Sequence, residues 1–152
     1  MNKSIKAVML LSLLAISNCG TRETAVLLEE ARKETVGSKK FELYDQIILA
    51  DSMNDVALYE RGLLHVMYYE HSIELRNEGN NIDSSVTQKH YLNALSDFSR
   101  TIKLNPKNGM AYAKRARLYS IMNNIKDACQ DYMSAFSNGI PVDSVILINC
   151  RD

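Results

Sequence analysis

Three histidines and three cysteines are the side chains of this 152-residue sequence best equipped to hold a metal or attack a substrate. Their spacing limits what chemistry is open to it. His65 and His71 are six positions apart, which puts them on opposite sides of a helix, so they cannot ligate one ion as an i, i+4 pair does. His90 could approach His71 only across a hairpin, and single surface or half-buried histidines are the expected arrangement. The six glycines are scattered, and none begins the Gly-Lys-Ser/Thr end of a phosphate-cradling loop. There is no Gly-x-Ser-x-Gly nucleophile elbow either. Carboxylates such as Glu29, Glu30, Asp97 and Asp131 are of a kind that helical proteins carry on solvated faces. We therefore expect no catalytic residue, no metal, no cofactor and no small-molecule substrate. Lys and Arg total 18 against 18 Asp and Glu, a balance that lacks the basic face a nucleic-acid binder needs.

The elements that would position these residues are helices. Apolar residues recur at helical spacing, clearest in Ile125, Ala128, Cys129, Tyr132, Ala135 and Phe136, and no segment alternates strictly enough for a half-buried strand. The pattern predicts helices near 21–36, 39–50, 54–76, 86–104, 109–122, 125–137 and 141–150. Val145-Ile146-Leu147-Ile148 in the last would also suit a strand. Asn138-Gly139 reads as a left-handed helix stop, Pro141 as a first-turn proline, and Ser85-Val86-Thr87-Gln88 as a capping box. With 46% hydrophobic residues and two prolines, the composition suits one compact domain and excludes collagen-like or low-complexity chains.

Residues 1–20 have another purpose. Lys3 and Lys6 precede an apolar run from Ala7 to Ile16, which is short of the roughly 20 residues a membrane-spanning helix takes. A positive start followed by a short apolar run fits a secretory signal. Ile16-Ser17-Asn18-Cys19 resembles a bacterial lipobox, although Asn18 stands where the pattern prefers a small residue. That resemblance implies that residues 1–18 form a lipoprotein signal peptide. It also implies that the Cys19 thiol receives a diacylglyceryl group and that the chain is held in the bacterial cell envelope by its lipid, facing the periplasm or the surface. The alternative is an ordinary secretory signal ending near a cysteine. Removing Lys3 and Lys6 would leave a mildly acidic remainder.

The chain also repeats itself. A shift of 34 places Ala94 on Ala128, Asp97 on Asp131 and Phe98 on Tyr132; a shift of 54 places Leu58 on Tyr112, Gly62 on Ala116 and Tyr44 on Phe98. These residues resemble tetratricopeptide repeats, with 20 residues inserted in the middle unit. One unit supplies Tyr112, Ala116, Tyr119, Ala128, Tyr132 and Ala135. Another supplies Leu58, Gly62, Ala94, Phe98 and Pro106, with His65 where the family prefers an aromatic. The first is weaker, with Leu28, Ala31 and Tyr44 in place and Lys40 at a position usually small. The resemblance implies an all-α, tetratricopeptide-like helical-hairpin solenoid over residues 19–140. Its units are expected near 21–54, 55–108 and 109–140, with a C-terminal capping helix in 141–152. Small residues let paired helices approach closely, and stacked neighbours share the core that one hairpin cannot bury alone. The insertion is expected to lengthen both helices of its hairpin, either as a protruding contact surface or as a loop without a role.

With Cys19 lipidated, Cys129 and Cys150 remain as an even pair in an exported chain. Buried reduced thiols would also fit, since Cys129 lies on the core stripe. The string Ala128-Cys129-Gln130-Asp131-Tyr132 with Cys150 resembles a terminal repeat of exported bacterial tetratricopeptide proteins, and that resemblance implies a disulfide. It also implies a concave groove for a protein or peptide partner. The groove would be lined by Val56, Tyr59, Leu63 and Val66 on one helix and Met110, Ala113, Arg117 and Ser120 on the next. Packing of Tyr59 and Leu63 against the preceding repeat is the alternative. Lys114, Arg115 and Arg117 form a stripe that could hold an acidic peptide or be a solvated face. The family's carboxylate clamp for chaperone tails is not reproduced. The expected function is a membrane-tethered accessory or scaffold subunit of an envelope complex; the alternative is an immunity lipoprotein that neutralises a protein toxin in the periplasm.

Overall fold

The computed structural model describes residues 22–150. The expected signal peptide and Cys19 lie outside them. Among the described residues there are seven helices and no strand. They are α1 (22–33), α2 (Gly37–Ala50), α3 (Asp55–Asn77), α4 (Ser84–Leu104), α5 (Gly109–Ile121), α6 (Ile125–Ser137) and α7 (Ser144–Asn149). The expected all-α class of helical hairpins is what forms. No described helix is long and apolar enough to cross a membrane.

The chain divides into two compact units, with the boundary between Ala57 and Leu58 inside α3. The first contains α1 and α2. Ala31, Leu43, Tyr44, Ile47 and Ile48 are buried there, which gives Ala31 and Tyr44 the places that their repeat positions demand. The connection between the helices is built on Glu34, whose Oε1 accepts the Thr35 and Val36 amides, each at 2.8 Å. The Val36 amide, with Lys39 beside it, holds the Glu34 carboxyl below the usual carboxylate range.

The second unit is centred on Phe98. Val66, Tyr69, Tyr91, Ala94, Phe98, Ala111 and Leu118 form one buried cluster drawn from α3, α4 and α5. Gly62 makes the closeness of α3 and α4 possible: a Cβ there would lie 2.8 Å from Cε1 of Phe98, and that ring is fully buried. Ala116, Ala128 and Ala135 are the small buried positions of α5 and α6. Most of the inserted residues are helical. α3 runs 23 residues and α4 21, against 13 each in α5 and α6, so the added length goes chiefly into the two helices of the hairpin.

Helix ends are set by side chains at recurring places. Asn54 accepts the Ala57 amide at 2.9 Å, and Asn108, 54 positions on, accepts that of Ala111 at 3.0 Å. Two ends differ from the sequence expectation. α4 starts at Ser84 rather than near 86, because Asp83 accepts the Ser85 amide and hydroxyl, both at 2.8 Å, and so takes the capping place assigned to Ser85. α7 starts at Ser144 rather than at Pro141, because Asp143 accepts the Val145 amide. The stop after α6 forms as expected. Gly139 has φ of 82°, and the Gly139 and Ile140 amides return to the Phe136 and Ala135 carbonyls.

Cys129 and Cys150 are joined by a disulfide, their Cα atoms 5.1 Å apart. It ties the end of α7 to α6. None of the α7 residues is buried, and Val145 and Ile148 are exposed. Closing a loop of this size stabilises by roughly 3 kcal/mol in the chain-entropy model.

Gly62→Val tests the close approach. The added side chain meets the fully buried Phe98 ring, so a loss of about 1–3 kcal/mol is expected in denaturant unfolding. Unchanged stability would show that α3 and α4 are not locked at this contact.

Candidate protein-interaction site

Two ion-pair forks orient the first helix of each hairpin in the second unit. Arg61 of α3 donates from Nε and Nη2 to Oδ2 and Oδ1 of Asp97 on α4, at 2.8 and 2.7 Å. Arg115 of α5 donates in the same way to Asp131 of α6, at 2.7 and 2.8 Å. Both aspartates are buried. The paired residues are 36 apart in the first case and 16 in the second. The insertion therefore leaves the register of the hairpin base unchanged. Bidentate pairs of this kind combine charge with a fixed geometry. Arg115 reaches further: Nη1 donates to Ser99 of α4 at 2.9 Å, and its guanidinium lies 6.0 and 5.8 Å from the ring centres of Tyr112 and Tyr119. The Asp131 carboxylate holds the Arg115 pKa above the ordinary value.

Because the forks and the aromatic core occupy one side of α3 and α5, other positions of those helices face outward. Val56 on the first turn of α3 is 38% exposed and Met110 on α5 is 42% exposed. Ala113 is half-buried. Three of the expected groove residues of α3 lie inward. Val66 belongs to the core cluster, and Tyr59 and Leu63 pack against it. Tyr59 lies 5.9 Å from Phe98, ring to ring, and its burial raises the phenol pKa, with Glu60 adding to the effect. A step of three residues from Leu63 turns the helix back by about 60°, into the core, whereas a step of four turns it forward by about 40°. The outward face therefore continues through Met67, which is 54% exposed, rather than Val66.

Met67, Tyr68, Glu70, His71 and Glu74 line a depression of about 500 Å³ along the extended part of α3. Sequence reasoning stopped at Val66 and missed these residues, although helical spacing alone carries the face on to them. Arg117 joins them to α5: its Nη2 lies 2.6 Å from Glu70 Oε1, an ion pair whose angles fall short of a hydrogen bond. Arg115 and Arg117 are thus both engaged by carboxylates, so two of the three cations of the stripe with Lys114 are paired within the fold. Ser120 lies elsewhere. Its hydroxyl donates to the Ala116 carbonyl, and it lines a separate cavity of about 320 Å³ with Ile125, Tyr132, Ile146 and the disulfide.

The histidines are arranged differently from the expectation. His90 meets His65, not His71: the two Nδ1 atoms are 2.9 Å apart, and the His90 ring stacks on Tyr68 at 5.3 Å. His71 sits on the outer face of α3, 3.9 Å from Glu74. Among the described residues, no group of three or more His, Cys, Asp or Glu could hold a metal ion.

No family profile and no curated protein matches the sequence. Among solved structures the chain is similar to the first TPR of Spaghetti (RPAP3) bound to the HSP90 peptide SRMEEVD, with a TM-score of 0.61 and 18% identity. That match covers 86% of this chain and 89% of the other. At this identity the likeness establishes the fold, a tetratricopeptide-like helical solenoid.

Arg115→Ala would leave Asp131 buried without its partner, and a loss of about 3–5 kcal/mol is expected in denaturant unfolding. Arg115→Ala/Asp131→Ala should recover part of that loss, and strictly additive effects would show that the fork contributes nothing.

Proposed function

We propose that this chain is a non-enzymatic protein–protein interaction module, tethered to a bacterial membrane through lipid on Cys19. In this reading it serves as an accessory or scaffold subunit of an envelope complex. The observation that carries the reading is the outward side of α3 and α5, where Met67 and Met110 are exposed and Arg117 of α5 pairs with Glu70 of α3. The solved neighbour with the same fold holds a peptide, and we assign to this face a peptide-like or helical segment of a partner protein.

The tether rests on the sequence alone. Lys3, Lys6, the apolar run from Ala7 to Ile16 and Cys19 follow one another as processing and lipidation require. Several acyl chains give stable anchoring, since each buried methylene contributes about 0.8 kcal/mol.

Crosslinking in native membranes, purification of the tagged chain and mass spectrometry test both parts. The expected outcome is a stoichiometric partner that is lost in Cys19→Ser. A partner retained in Cys19→Ser would contradict the tether. Recovery of the chain alone would contradict the accessory-subunit reading and favour an inhibitor whose target toxin is absent.

A further inference from the structure

We infer that the His65–His90 pair is an acid-sensitive fastening between α3 and α4, and that acidification loosens the inserted hairpin together with the α3 face that it carries. His65 is 8% exposed on α3, at a position where an aromatic ring would serve for packing alone. Its Nδ1 faces His90 Nδ1 at hydrogen-bonding distance, 2.9 Å. Two neutral imidazoles satisfy this contact when one carries its proton on Nδ1 and the other offers its lone pair. A first added proton can go to Nε2 of the donor ring and leave the contact intact. A second must go to the accepting Nδ1, so that two N–H groups and two positive charges oppose each other.

Burial and Lys89 disfavour added charge on His90. On α4, Lys89 adjoins His90, while Asp97, the carboxylate further along the helix, is held by Arg61 of α3. Tyr68 of α3 stacks on His90. The next contact toward the tip is Tyr69 against Tyr91, with ring centres 5.7 Å apart, and burial, Tyr119 of α5 and Tyr69 together raise the Tyr91 pKa. Burial, reinforced by Lys89, lowers the His90 pKa below its ordinary value. The sign follows from linkage. The unfolded chain takes up a proton at a higher pH than folded His90 does. The stabilisation is therefore fully present above the ordinary histidine pKa, about 6.5, and is lost as pH falls through the lower folded value of His90. Each unit of pKa depression corresponds to about a tenfold change in the opening equilibrium. Beyond this pair the hairpin is held by the Tyr69–Tyr91 contact and by Arg76 donating to Thr87 at 3.0 Å, so the pair stands between the tip and the Arg61–Asp97 fork.

The experiment follows the imidazoles by NMR and the amide exchange protection of residues 65–90, from about pH 7.5 to about pH 5. The amides of α6 are the internal reference. The expected result is a coupled titration in two separated steps, the lower one below the ordinary histidine range. Protection across the hairpin should fall at least about tenfold while α6 holds. In His65→Phe, and independently in His90→Gln, that fall should shrink to less than half on a logarithmic scale. If His65→Phe disturbs the core, His90→Gln and the unmodified chain still decide the matter. Independent titration at ordinary values with constant protection would overturn the inference, and so would an undiminished fall in both variants.

Discussion

The close approach of two antiparallel helices governs the second unit. It requires a position without bulk on one helix and a buried ring on the other, and Gly62 opposite Phe98 meets that requirement with no space for a further methyl group. Once α3 and α4 are this close, their remaining polar groups must pair locally, because water cannot reach between them. The Arg61–Asp97 fork satisfies this demand at the base of the hairpin, and the His65–His90 contact does so further out. The third hairpin repeats the solution with Ala116 and the Arg115–Asp131 fork. Core and forks claim the inner side of α3 and α5, and what is left facing outward becomes the candidate interaction surface.

The insertion is instructive because it lengthens the hairpin without disturbing its base. About ten extra residues on a helix add roughly 15 Å, at 1.5 Å per residue. The added turns are fastened as they go, by His65–His90, Tyr69–Tyr91 and Arg76–Thr87, and are closed by Asp83 at the start of α4. The result extends the outward face of α3 through Glu70 and Glu74. A bare tetratricopeptide hairpin of the length of α5 and α6 would have ended before them.

The fold was largely legible in the sequence, because small and aromatic residues report packing through one-dimensional spacing. Ala94, Phe98, Ala116 and Ala128 fell into register by shifting the chain against itself, and all four are buried. The pairings were not legible. Arg61 and Arg115 obey the same shift of 54 as Gly62 and Ala116, yet their distances from Asp97 and Asp131 differ by the length of the insertion, so no fixed motif announces the fork. Spacing allows His90 to approach His71 and favours single histidines, whereas the structure pairs His90 with His65, because partners across a hairpin depend on where its turn lies. Sequence spacing put that turn only approximately. The Val66 assignment failed for a related reason: a repeat position fixes the side of a helix to within one residue, and one residue is a turn of about 100°. Cap choice at α4 and α7 was missed because Asp83 and Ser85, or Asp143 and Pro141, are each acceptable near a helix start, and local hydrogen bonding decides between them.

The outward face of α3 and α5 as the partner site is the central claim, and position-specific photocrosslinking in native membranes addresses it most directly. A photoreactive residue at Met67 or Met110 probes that face, and one at Leu92, exposed on α4, serves as the comparison. The account predicts that Met67 and Met110 give an adduct with the same partner and that Leu92 gives none. Equal adducts at all three positions, or an adduct at Leu92 alone, would contradict it.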